Sequence, residues 1–401
     1  MIADGLKKYS LFFDLYSLTR VIKRELRRML MRPLYLFASV GVMVLCTVFF
    51  LSIMQRGAPE QMPVAVVDHD HTSVSRRLCH EMQATPSVDI ALVTTEYPEA
   101  RRAMQRGEVY GILEIPDGFY ADLVAFKRPT MHFYVNNAYT VGSNVAYKQF
   151  LTMCNLTSGA FQREVLRKKG LPDHIIMKRI QPVAIEAHLI ANPWSNYAIY
   201  LVSTILPGIL GLVVLMLTIF AIGFELKSRS SRRWLEVAGG NYTVAMIGKL
   251  IPYTVLYLVL GIGCGVILFS FMHFPVYGST WRLILAIVLL VFAMEAMAIT
   301  IIGLLPTLRD AISIGALYGM LGFSLSGFTY PVMNMLPPIQ AWANLEPLRH
   351  YYLIYVNEAL MAAPAINSLP HMLALCAFFV PALLVSRRLH NALIYQNYPL
   401  K

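Results

Sequence analysis

Charge is what this sequence has least of. Only 14% of its 401 residues are Asp, Glu, Lys or Arg, against 57% hydrophobic. Ordinary soluble domains carry about a quarter charged residues, so this composition excludes that class and points to a membrane protein. Acids are the scarcer sign, 23 against 34 Lys and Arg, leaving a net charge of +11. The cations form no continuous stripe, which argues against a nucleic-acid partner. The five cysteines exclude a disulfide-rich scaffold. No Walker A motif is present. Its nearest approach, Gly248-Lys249, has Thr243 where the first glycine belongs and Leu250 in place of Ser or Thr. No cleavable signal peptide is expected either, because the first apolar run is long and is followed by Met54-Gln55-Arg56-Gly57. No paired nucleophile and base stands in the apolar runs, so an intramembrane enzyme is disfavoured.

Long apolar runs are abundant instead. A helical crossing needs about 20 residues, and six runs meet that need: Leu34–Met54, Asn196–Gly223, Lys249–Phe274, Trp281–Leu305, Ala311–Thr329 and Leu369–Ser386. The last contains Pro370 and Pro381. Short-loop cations set the orientation. Eight precede the first run, from Lys7 to Arg32, and Lys227, Arg229, Arg232, Arg233 and Lys249 follow the second. Arg309, Arg387, Arg388 and Lys401 fall on the same side, against Arg282 and Arg349 on the other. Both termini are therefore expected in the cytoplasm. The segment 55–193 is expected outside, since long domains cross regardless of charge.

Within the outer segment, residues 64–68, 89–93, 110–115 and 131–135 read as short buried strands. Helix-like stretches lie at about 73–84, 96–106 and 117–126, with a long one near 138–169. That alternation implies an α/β domain with a mostly parallel sheet. Asp68-His69-Asp70-His71 resembles a metal cluster, but adjacent ligands on a turn rarely converge on one ion. Asp68, Thr72 and Ser73 read as turn and cap residues, and no metal is expected. A disulfide between Cys79 and Cys154 is permitted there; two unpaired small apolar residues is the simpler reading.

Residues 14–30 read as an amphipathic helix lying in the inner-leaflet interface. Leu15, Leu18, Ile22, Leu26 and Met29 would form its apolar side and the cations the other. The proline-broken stretch 330–367, with Trp342, Tyr351, Tyr352 and Tyr355, reads as one or two short helices dipping back into the outer leaflet. Glu295 falls inside the fourth run, where an ionisable group is costly and either functional or a packing device. Met294, Met297, Met320, Met333 and Met335 would form an adaptable apolar wall or ordinary span filler. In the basic loop, Glu225 would open a short cytoplasmic helix and Glu236 lie later in it. Arg229, Arg232 and Arg233 would be a solvated or lipid-facing side. Trp234 and Leu235 would fill a partner's pocket, with both Glu residues at its rim, or else Trp234 would be an interfacial belt residue.

Four passages, in order, carry a resemblance. They are PVAVVDHDHTSVSRRL (63–78), MQRGEVYGILEIPDGF (104–119), FELKSRSSRRWLEVAGGNYTVAMIGKLIPY (224–253) and LSGFTYPVMNMLPPIQAWANLEPLRHYY (325–352). The last contains an Asn-x-x-Pro-Leu core at Asn344–Leu348. Together they resemble the type-2 permeases of ATP-binding cassette (ABC) exporters, in the branch with a large extracytoplasmic domain after the first span. One departure is Ala238-Gly239-Gly240, which replaces that family's Thr-Pro turn. The resemblance implies six transmembrane helices with an α/β domain between the first two. Its parts are a connecting helix in 1–33, helix 1 at 34–54, an outer domain 55–193, helices 2–6 within 194–386, and a cytoplasmic tail 387–401. Coupling would fall on 225–248, through Glu225, Arg229, Arg232, Arg233, Trp234, Leu235 and Glu236, and 330–367 would be re-entrant. A substrate path would include Glu295, Met294, Met297, Met320 and Phe328. The chain would sit in a bacterial inner membrane, paired with a second copy or paralogue, and would hold no cofactor. ATP and Mg would bind on separate ATPase subunits. A periplasmic adaptor and outer-membrane channel would be further partners, and cargo would be amphipathic or drug-like. A membrane receptor or scaffold with a ligand-sensing outer domain is the competing reading; co-purification of a P-loop ATPase separates the two.

Overall fold

The computed structural model describes residues 15–125, 127–181 and 188–395. Its contacts divide into two compact units, Met1–Gln55 with Leu189–Lys401, and Arg56–His188. Helix α1 spans Leu15–Met31, so the expected start at Asp14 lies outside the described residues. Its buried side is Ser17, Val21, Glu25 and Met29, a four-residue spacing that places them on one face. That face packs on helix α10, introduced below. Leu15, Leu26 and Leu30 point outward. The expected single apolar face is thus split: one stripe is used inside the protein and the other is left for lipid. Pro33, with no N–H to lose, opens α2 (Pro33–Ile53).

The second unit is a four-stranded sheet in the order β2-β1-β3-β4, with β1 Met62–Asp68, β2 Val88–Thr94, β3 Gly111–Ile115 and β4 His132–Val135. β1 runs parallel to β2 and β3, and β4 runs antiparallel to β3. Helices α3 (Ser73–Gln83), α4 (Tyr97–Gln105), α5 (Phe119–Val124), α6 (Thr140–Lys168) and α7 (Asp173–Ile180) surround it. Strand alternation sorts the core. Val64 and Val66 face α3 and α6 through Leu78, Met82, Ala146 and Phe150, while Ala65 and Val67 face α4 through Ala100 and Ala103. The four strands and helices α3 to α6 fall within a few residues of the segments expected from the alternation, whereas α7 was not expected.

The first unit resumes with α8 (Tyr197–Lys227), capped by Asn196 Oδ1, which accepts from Ala198 N at 2.8 Å. Short α9 (Ser231–Val237) leads to α10 (Tyr242–Phe271), capped by Asn241, and α11 is Thr280–Leu304. Next come α12 (Leu308–Leu325), α13 (Pro337–Ala343), α14 (Pro347–Tyr355) and α15 (Ala365–Tyr395). Among the described residues, five helices are long and apolar enough to cross a membrane: α2, α8, α10, α11 and α15. The run expected at 311–329 forms α12, which is 18 residues long, begins Leu308-Arg309-Asp310, and is not one of the five. Gly315 and Gly319 press α12 closely on Ile219 and Leu212 of α8.

About 72% of α8's most apolar window and 61% of α11's are buried, against 17–22% for α2, α10 and α15. α8 and α11 are therefore the centre of this unit, and the other three present their apolar sides outward. The 330–367 stretch holds α13 and α14, each opened by a proline in its first turn. α15 continues past Ser386 to Tyr395, so the expected tail from 387 is helical that far; 396–401 lie outside the described residues.

Candidate functional site

The loop between α8 and α10 is built around two buried carboxylates. Glu225 does not open a new helix: it sits in the last turn of α8, fully buried. α1 lies alongside and supplies Arg24, Glu25 and Arg28, while α10 supplies Lys249 from its second turn. The Lys249 ammonium is 2.9 Å from Glu25 Oε2 and 3.1 Å from Glu225 Oε1. Arg24 reaches Glu225 at 2.9 Å and Glu25 at 2.5 Å. Arg28 also pairs with Glu225, and Ser230 Oγ donates to the same carboxylate. Three cations thus face two carboxylates. Gly248 permits this approach, because a Cβ there would stand 2.9 Å from Val21 of α1.

Charges this deep persist only when paired and hydrogen-bonded. Arg28 records the balance. Burial lowers the pKa of its guanidinium, but Glu225 and Glu25 outweigh burial and hold it above its ordinary value. Aromatic faces complete the cation shell: Lys249 Nζ lies 4.6 Å from the Trp234 ring centre, and Arg32 lies 4.4 Å from that of Phe224.

α9 rests on this cluster. Seven residues are too few to hold a helix in isolation, so its position comes from what it touches. Trp234 and Leu235 are buried in a core shared with α1, α8, α10, α11 and α15. Ser231 Oγ donates to Leu393 O at 2.8 Å, and Arg232 Nε donates to Ile394 O at 2.9 Å. Both carbonyls belong to the open end of α15, where cations are favoured. Arg20 of α1 donates to Val237 O at 3.0 Å. The helix ends in a Schellman turn: Gly240 N donates to Leu235 O at 2.8 Å and Gly239 N to Glu236 O at 3.0 Å. Both glycines have positive φ, 68° and 79°, which a Cβ would penalise. At α8's end the same turn places Arg229, a non-glycine, at φ 54°.

The expected coupling residues therefore divide. Arg229, Arg232, Arg233 and Glu236 are exposed. Trp234, Leu235 and Glu225 face inward, which corrects the expectation that they reach into a partner's pocket or pair with cations at its rim. Their places are taken by this chain's own α1 and α10. Sequence reading missed Glu25, although it is the one acid among the 17 residues of α1. It treated Lys249 only as a topology cation, although Lys249 lies in an apolar helix and is fully buried.

The residues expected to line a substrate path do not share one wall. Glu295 is buried and accepts from Thr254 Oγ1 at 2.7 Å. Met294 is packed in the core against Gly211, and Met297 is half-buried beside it. Met320 is exposed on α12, and Phe328 is buried beside Tyr352 with ring centres 6.2 Å apart. In the other unit, Asp68 accepts from the backbone of Asp70 and His71 and from Ser75 Oγ, and Thr72 caps α3. These are turn and cap duties. Cys79 and Cys154 are free thiols, and burial pushes both up to about 11.

Residues 33–387 match the family model of the ABC-2 family transporter protein, and the chain belongs to that family. No curated protein matches the chain.

Proposed function

We propose that this chain is the permease subunit of an ATP-driven exporter, and that the exposed face of α9 is where a separate ATPase pushes. Family membership makes the chain a multi-pass membrane component of an ABC transporter and implies ABC ATPase partners. The observation that carries the finer reading is the clamp beneath α9. A seven-residue helix bound on one side to α1, α8, α10 and α15 moves only by moving those helices. Force applied to Arg233 or Glu236 therefore reaches the spans rather than bending a loop.

In this reading six helices cross the bacterial inner membrane, α12 being the fifth. Both termini and α9 are cytoplasmic, and the 56–188 unit is extracytoplasmic, as in the large-domain branch. The permease works as a dimer with a second copy or a paralogue. Short-loop cations support the orientation. Amphipathic or drug-like cargo would leave by the outer end, towards an adaptor and outer-membrane channel. Those last partners rest on the resemblance alone.

The test is co-expression with a candidate partner ATPase of the ABC class, followed by purification and transport assays in vesicles. The reading predicts a stable complex, and it predicts that Arg233→Glu together with Glu236→Lys abolishes both ATPase recovery and transport. A receptor or scaffold would recover no ATPase. Wild-type recovery and transport in the double variant would remove α9 from the coupling role.

A further inference from the structure

Two histidines meet where α14 packs on α15, away from the α9 platform. His350 Nδ1 lies 3.4 Å from His371 Nδ1, with ring centres 5.6 Å apart. On its other edge His350 Nε2 is 2.9 Å from Asn344 O. A carbonyl oxygen can only accept, so Nε2 carries the hydrogen, and in the neutral ring Nδ1 is then a bare lone pair. His371 Nδ1 is therefore the donor between the rings. His350 is buried, with the Phe378 ring edge-on to it at 6.2 Å, while His371 is half-buried.

Protons act unequally on this pair. A first proton fits on His371 Nε2. The charged ring still donates through Nδ1, and its charge strengthens the contact. A second proton finds only His350 Nδ1, the acceptor itself. Two N–H groups would then point at each other, and His350 cannot turn away without giving up Asn344 O. Arg349 opposes the second charge as well. Its Nε donates to Asn344 Oδ1 at 3.1 Å, so one asparagine holds the guanidinium by its side chain and His350 by its carbonyl. Burial first, and then Arg349, hold His350 below the ordinary histidine value, with Asn344 O working against them. Other charged groups on the packed elements are engaged elsewhere: Glu346 with Trp342, Arg282 of α11 with Glu358, and Glu295 of α11 with Thr254. Arg387 and Arg388 lie about four turns further along α15. When the rings part, α14 keeps its own anchor, because Tyr355 Oη donates to Ile199 O of α8 at 2.9 Å. Ser368 Oγ still donates to Glu358 at 2.7 Å, so the freed part is α15 beyond Ser368.

We propose that His350 and His371 form a proton-operated latch: one proton is held with α14 and α15 joined, and a second parts them. On the orientation given above, the pair lies toward the outer side; only that placement rests on the transport reading. The full chain, carrying isotope-labelled histidine, is studied in nanodiscs without ATP or any ATPase, from about pH 8 to about pH 4.5. The two rings are identified by the signals missing from His350→Asn and His371→Asn. Solid-state NMR should show a correlation between the rings at the upper end, with His350 as the Nε2–H tautomer. That correlation should vanish when His350 charges, below about pH 6.5. Thermal midpoints are taken in a Glu346→Gln background, which removes the neighbouring buried acid. They should fall by a few degrees as pH drops below about 6.5, because the unfolded chain binds a proton that the latched chain refuses. His350→Asn keeps an acceptor oxygen at the δ position but takes no proton, and should remove that fall. Ring correlation persisting with both rings charged, His350 charging at or above about pH 6.5, or the same acid fall in the His350→Asn chain would overturn the latch, whether or not the chain transports.

Discussion

Helix α10 carries two buried polar contacts about one and a half turns apart, and they are opposites. At Lys249 a full charge meets two carboxylates, themselves held by Arg24 and Arg28. At Thr254 a neutral hydroxyl meets the carboxylate of Glu295, and no cation contributes there among the described residues. The first contact ties α10 to α1 and to the end of α8 through a fully buried ammonium whose counter-ions are Glu25 and Glu225. The second ties α10 to α11 through a single hydrogen bond. Breaking a buried ion pair on one side strands a charge, whereas loosening one neutral hydrogen bond costs far less. This contrast locates the rigid part of the molecule. The α9 end is a clamp, and the mid-span contact is a joint that can be exchanged.

The largest effect that would break this contrast is at Lys249. Lys249→Met leaves Glu25 and Glu225 short of their shared cation and should destabilise the chain by about 3–5 kcal/mol. The thermal midpoint in nanodiscs measures it. Adding Glu25→Leu should recover part of the loss, because partners in one network are not additive. A loss no greater than that of Glu295→Gln would mean the cluster is no clamp.

Trp234→Ala comes next. Its ring is fully buried against Lys249, so truncation should cost about 3–5 kcal/mol through the cavity left behind. This damage precedes any effect on a partner, which is why the exposed Arg233 and Glu236 are the better probes of docking. A Trp234→Ala chain as stable as wild type would place that side chain outside the core.

Glu346 sharpens the contrast outside the spans. Like Glu295 it is buried with a neutral donor, the Trp342 indole at 3.3 Å. Burial pushes its carboxyl up to about 8, and the indole only partly offsets this. An acid whose folded pKa is raised binds its proton more tightly folded than unfolded. Stability should therefore fall as pH rises from about 4.5 to about 8 and level off above. Glu346→Gln should flatten that slope in thermal midpoints taken across the range. An unchanged slope would show that another group carries it.

Arg229→Gly carries the smallest expected effect and the opposite sign. A glycine at φ 54° relieves a left-handed conformation worth about 1 kcal/mol, so the midpoint should rise slightly. A fall would show that the Arg229 side chain contributes more than its backbone costs.

The two units were unequally legible in the sequence. The strands of the 56–188 unit and helices α3 to α6, though not α7, could be read to within a few residues, because Val64 and Val66 alternate with Ala65 and Val67 onto two different helical layers. Apolar runs announced five of the long helices, whereas the run expected at 311–329 formed α12, which is opened by Arg309 and Asp310 and is not among the helices long and apolar enough to cross. The clamp was hidden because its members are about 200 residues apart, as Arg24 and Arg28 are from Glu225. Local pattern registers Glu225 as a helix-terminal acid and Trp234 as an exposed anchor. The arrival of α1 and α10 buries Glu225, and a core drawn from α1, α8, α10, α11 and α15 buries Trp234. The lone acid of α1, in step with Val21 and Met29, was the available sign.

The proposed role of α9 sets a motor on one side of it and its own chain on the other. The most direct measurement places a photoreactive residue at Glu236, and separately at exposed Tyr120 of the other unit, in cells co-expressing the ATPase. Crosslinks to the ATPase are expected from position 236 and none from 120. ATPase crosslinks from 120, or none from 236 in a complex that transports, would contradict it.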